Sequence, residues 1–140
     1  MLLAKDEFAL FSATVDGNPL FSFHSMETNA TPYLAYAPGI FFSQLVDMIQ
    51  FQSNSASNLD KVFQTQMADA IKAMVLAGHG VSWLPFGCVT QDMSQGRLQA
   101  IGEPKMKVSV EVRLYKSTTT QNQVIDLLWD QMQVPHIKLI

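Results

Sequence analysis

Apolar positions recur along this chain in two periods, one near two residues and one near 3.6, and the switches between them outline its elements. Glu7-Phe8-Ala9-Leu10-Phe11-Ser12-Ala13 predicts a first strand. Asp16-Gly17-Asn18-Pro19 closes it, because glycine supplies a positive φ and proline fixes its own. Residues 18–32 read as irregular and polar, and Tyr33-Leu34-Ala35-Tyr36 as a short strand. After Pro38-Gly39, Ile40–Ile49 predicts a helix in which Phe41, Phe42, Leu45, Met48 and Ile49 share a face. Ser53–Asn58 is a polar loop, and Leu59–Gln64 a further strand candidate.

The run Gln66–Pro85 is the most informative stretch. Met67, Ala70, Ile71, Met74 and Val75 form the stripe of an amphipathic helix, with Thr65 placed as its N-cap. Gly78 stands where a left-handed C-cap residue belongs. Val81-Ser82-Trp83-Leu84 predicts a buried strand that Pro85 ends. Residues 86–95 predict a short helix stopped by Gly96, Leu98–Ile101 a brief strand, and Met106–Lys116 a longer one. In that longer strand Val108, Val110, Val112 and Leu114 alternate onto one face. Thr120 with Gln123 fits a capping box for a last helix striped by Val124, Leu127, Leu128 and Met132, with Trp129 beside the stripe. Strands alternating with helices in this order predict an α/β fold with a mainly parallel twisted sheet flanked by helices.

Composition narrows the class. At 140 residues, 48% hydrophobic and 15% charged, the chain is expected to form one globular domain rather than a disordered or fibrous segment. No apolar run approaches the roughly 18 residues of a membrane span, and the start has no secretion-signal pattern. A single cysteine, Cys88, makes an internal disulfide impossible and points to a reducing, cytoplasmic setting. No Lys or Arg occurs between residues 6 and 60, and the net charge is −3, which argues against direct nucleic-acid binding by these residues.

Candidate chemistry is thin. Ser43, Ser82 and Ser94 lack a nucleophile-elbow context. A nucleophilic Cys88 would need a nearby base, and the bland expectation is a buried, inert thiol. His24, His79 and His136 have no metal-ligand spacing. Gly78-His79-Gly80 follows a helix, the wrong context for a dinucleotide fingerprint, so His79 reads as a turn residue. No metal and no cofactor is called for. Most methionines read as core filler; Met67, in a first helical turn, could instead meet a ligand or an oxidant.

Binding has more support. Helices start just after Tyr36-Ala37-Pro38-Gly39 and after Gln64-Thr65, and first-turn N–H groups lack intrahelical acceptors and carry partial positive charge. If the two preceding strands end on one edge, these starts converge on a crevice for an anion or a polar small molecule. Ordinary capped termini remain the other reading.

The pattern Ala70-x-x-x-Met74-Val75-x-x-Gly78-x-Gly80-Val81-x-Trp83-Leu84-Pro85, followed by Gly96-Arg97-Leu98, resembles the effector-binding domain of LysR-type transcriptional regulators. Tyr33–Tyr36, Phe42–Val46, the strand Val108–Tyr115 and the Trp129 helix are similar to that family's elements in order and spacing. The resemblance implies a periplasmic-binding-protein-like architecture of two α/β subdomains around an effector cleft. It implies a partial effector-binding domain: about 7–104 as the second subdomain, 105–116 as a strand returning to the first, and 117–140 as that first subdomain's last helix and tail. The family's N-terminal DNA-binding domain is absent from this sequence.

The family's effector-contacting segments fall on Ala37, Pro38, Gly39 and Ile40, on Thr65, Gln66 and Met67, and on Pro85 and Phe86. Details resemble the hypochlorite-responsive branch, in which methionines sense oxidant; Met67 occupies one such position, whereas Phe42 stands where that branch has another methionine. The resulting expectation is a non-enzymatic, ligand-sensing regulatory domain. It would take a small-molecule effector, self-associate through residues 119–133, and reach DNA only through the missing domain, with no membrane contact. The alternatives are a small α/β enzyme using Cys88 or His79, and a stand-alone solute-binding protein.

Overall fold

A computed structural model describes residues 1–53, 58–119 and 121–133. The elements run β1 (Leu2–Val15), β2 (Asn18–Pro19), α1 (Phe23–Thr28), β3 (Thr31–Tyr36), α2 (Phe41–Ser53), β4 (Leu59–Thr65), α3 (Ala68–Leu76), β5 (Ser82–Pro85), α4 (Phe86–Ser94), β6 (Leu98–Ile101), a 3-10 turn (Pro104–Met106), β7 (Val108–Arg113) and α5 (Gln123–Met132). The chain folds into two compact units, Glu7–Val108 and a smaller one made of Met1–Asp6 with residues 109–140.

The larger unit is α/β, but its sheet pairing is mixed rather than mainly parallel. β1 is central and runs antiparallel to β5 (Leu10 opposite Trp83), to β6 (Leu10 opposite Ile101) and to β2. The β1–β2 hairpin turns at Asp16 and Gly17, both at positive φ (53° and 81°), the conformation that lets a two-residue turn match the strand twist. Parallel pairing joins β3 to β4, and an isolated parallel bridge joins Tyr33 to Val81 at the start of β5. Strand direction depends on which strand the chain returns beside, which periodicity within each strand does not encode.

Gly80 explains the close approach of that bridge: a Cβ there would lie 2.6 Å from the Pro32 carbonyl oxygen. Just before it, α3 ends in a Schellman motif. The His79 N–H donates to the Met74 carbonyl and the Gly78 N–H to that of Val75, with Gly78 at φ 83°.

The core joins both sheet faces. Phe8, Phe11, Val81, Trp83 and Leu84 are fully buried, as are Ile71 and Val75 of α3. The Trp83 indole N–H donates to the Met106 carbonyl at 2.8 Å. That bond holds residues 104–106 in a 3-10 turn, so the strand expected from Met106 starts only at Val108. In α2 the buried positions are Leu45, Val46, Ile49 and Ser53, while Phe41 and Met48 of the expected stripe are exposed. Both sets are helical faces sharing Leu45 and Ile49; the neighbouring sheet selects between them. Residues 18–32, expected to be irregular, contain α1, whose N-cap Ser22 accepts from the Ser25 N–H and whose Met26 is buried. Six residues are too few to display a helical period.

Asp92 is buried in α4 and pairs with Lys72 of α3 at 3.1 Å and with Arg97 at 2.6 Å. One carboxylate therefore ties α3 to the α4–β6 connection.

In the smaller unit, Met1 and Leu114 exchange both backbone hydrogen bonds at 2.9 Å, the pattern of an antiparallel pair, and β7 pairs with β1. The N-cap of α5 is Asn122, whose side chain accepts from Val124 and Ile125 N–H, rather than the expected Thr120. Thr120 itself lies outside the described residues, as do residues 54–57 of the expected polar loop, the tail from residue 134 and His136. Lys116 sits 5.1 Å from the Trp129 ring centroid and pairs with Asp126.

Candidate functional site

Three strands of the larger unit finish on one edge, and each leads into a helix. Tyr36 at the end of β3 is in register with Thr65 at the end of β4, and the Ala37 N–H donates to the Thr65 carbonyl at 2.9 Å. The Tyr36 hydroxyl donates to the Trp83 carbonyl at 2.8 Å, and Pro85 at the end of β5 lies opposite Phe8. The β3–α2 segment (Ala37, Pro38, Gly39, Ile40) and the β4–α3 segment (Thr65, Gln66, Met67) are thus brought side by side. Pro38, Gly39, Gln66 and Met67 are exposed. Gly39 adopts φ 91°, and nothing lies within 4 Å of where its Cβ would be, so glycine is required by the turn and not by crowding.

Thr65 is not the N-cap of α3. It is the last residue of β4, and its hydroxyl accepts from the Met67 N–H at 3.3 Å. Met67 is the N-cap and offers no side-chain acceptor. The first turn of α3 therefore has no side-chain cap, and Met67 is 63% exposed beside it. Asp69 stands in the same turn, where it favours the helix dipole but repels an incoming anion.

Pro85 and Phe86 are placed differently from the other seven. Pro85 is buried as the N-cap of α4, and Phe86 packs edge-on against Phe11, centroids 5.3 Å apart. Phe86 also lines a hollow of about 140 Å³ with Ala9, Leu10, Met106 and Lys107.

Sequence periodicity missed the aromatic floor under the strand ends. Phe8 stacks on Phe42 (5.1 Å), Phe42 lies 5.2 Å from Tyr36, and Tyr36 lies 6.2 Å from Phe8. Only tertiary structure joins residues 8, 36 and 42; the sequence signal was limited to three aromatics at apolar positions. Burial pushes the Tyr36 hydroxyl well above the usual tyrosine range, with Tyr33 and Cys88 adding to the shift. Tyr36 consequently acts as a fixed donor and not as a titrating group.

Of the chemical alternatives, Cys88 is exposed and not buried as expected, because α4 turns Val89 and Asp92 inward. His79 is exposed in the turn after α3. Among the described residues, no cluster of His, Cys, Asp or Glu could hold a metal ion, and no helix is long and apolar enough to cross a membrane.

Comparison with known proteins gives this geometry a family. The model of the LysR substrate binding domain matches residues 31–134. Over 108 residues the chain is 22% identical to the HTH-type transcriptional regulator YjiE of Escherichia coli K12 and to the HTH domain-truncated transcriptional regulator QseD of Escherichia coli O157:H7. That alignment covers 77% of this chain but 35% and 44% of the two relatives, so the chain spans less than half their length. The fold is similar to that of full-length HypT from Salmonella typhimurium, a hypochlorite-specific LysR-type regulator. There the TM-score is 0.83 at 20% identity, covering 94% of this chain and 44% of that one. The chain belongs to the LysR substrate-binding domain family.

Proposed function

We propose that this chain is the effector-sensing part of a LysR-type transcriptional regulator, and that the ends of β3 and β4 form one wall of its effector crevice. The observation that carries this reading is the side-by-side placement of Ala37–Ile40 and Thr65–Met67 around the Ala37–Thr65 hydrogen bond, next to an α3 N-terminus that no side chain caps. Backbone N–H groups and the Gln66 amide would hold a neutral polar molecule or a small anion, with Asp69 weighting the balance toward the neutral one. Phe8, Tyr36 and Phe42 supply an apolar floor. Pro85 and Phe86 support the wall from beneath.

Binding would act by population shift, stabilising one arrangement of an oligomer whose DNA contacts come from a domain outside this sequence. The chain itself carries out no reaction, and the cytoplasmic setting follows from this role. Oxidant sensing is a finer version of the same reading. HypT is hypochlorite-specific, and Met67 is the exposed methionine at the crevice, while Phe42 stacked on Phe8 replaces a second sulfur with an unreactive ring.

Thermal-shift screening of the 140-residue chain against sodium bromide, sodium benzoate and dilute hypochlorite tests this. A shift abolished by Gln66→Ala and Thr65→Ala, with unaltered circular dichroism, is expected. A shift indifferent to both substitutions overturns the assignment of the crevice.

A further inference from the structure

We draw no further inference here: the strongest candidate, the surface patch formed by the exposed apolar side chains of Phe41, Met48 and Phe51 along α2, carries nothing because nothing in the structure shows what covers it.

Discussion

The Tyr36 hydroxyl donates to the Trp83 backbone carbonyl at 2.8 Å inside the core, joining the end of β3 to β5 across 47 residues of sequence. β3 and β5 also meet at the Tyr33–Val81 bridge and through the Ser82 hydroxyl, which donates to the Leu34 carbonyl at 2.6 Å, so the Tyr36 bond adds the contact nearest the end of β3. Tyr36→Phe keeps the ring that packs on Phe42 and Phe8 but leaves the buried carbonyl short of a donor. It is expected to lower stability by about 1–2 kcal/mol without changing the fold. Urea midpoints of the two proteins at equal m-value check this; equal midpoints would show that the bond contributes nothing net.

Both buried tyrosines make the fold sensitive to alkali. Burial raises the hydroxyls of Tyr33 and Tyr36 above their unfolded value near about 10. A group raised on folding contributes stability that is whole below its unfolded pKa and is lost as pH rises above it, because the unfolded chain then releases protons that the folded chain retains. Stability should therefore be insensitive to these groups at neutral pH and fall steeply above about pH 10. The Tyr33→Phe, Tyr36→Phe double variant should lose less stability between about pH 9 and 11 than the parent. Denaturant titrations across that range provide the comparison, and parallel curves would contradict it.

Asp92 is a buried carboxylate with two cationic partners of unequal exposure, Lys72 at 30% and Arg97 at 54%. Removing the shared acid unties α3 and the α4–β6 connection together, whereas removing either cation leaves the other in place. Asp92→Ala is expected to cost about 2–3 kcal/mol, and Arg97→Ala less than about 1 kcal/mol. Thermal or urea unfolding of both variants decides the order, and a larger loss for Arg97→Ala would reverse this account.

The exposed stripe of α5 invites self-association. Val124, Leu127 and Leu128 are 74%, 63% and 57% exposed, and none of the helix is buried. Covering each such side chain is worth about 1.5–3 kcal/mol, enough to sustain a dimer or a segment exchange through residues 119–133. Sedimentation of the chain at micromolar concentration should show a mass above the monomer, and Leu127→Glu with Leu128→Glu should restore the monomer. A monomeric mass with no binding of an apolar-surface dye counts against it.

Much of this fold could be read along the chain, for local reasons. The Asp16-Gly17 turn and the Gly78 and Gly96 helix stops are properties of a few consecutive residues, and the structure has them where the pattern put them, while β5 starts at Ser82 and takes in Pro85, which was expected to end it. Reading failed where a distant partner intervened. Met106 turns because the Trp83 indole holds its carbonyl, and α2 buries Val46 in place of Met48 because of where the sheet lies. For the candidate site, the segments Ala37–Ile40 and Thr65–Met67 came from family likeness and helix-start chemistry. The aromatic floor and the inward placement of Pro85 and Phe86 were invisible, since they join residues with no local signal.

By itself, then, the sequence determined the alternation of strands and helices, the turns that punctuate them and the family, because these rest on periodicity, backbone freedom and residue order. Tertiary structure alone decided strand direction, which helix faces are buried, that Thr65 ends a strand instead of capping α3, and that the Tyr36 hydroxyl reaches the Trp83 carbonyl. Those outcomes depend on which remote segments come to rest together, and packing free energy, not local preference, makes that choice.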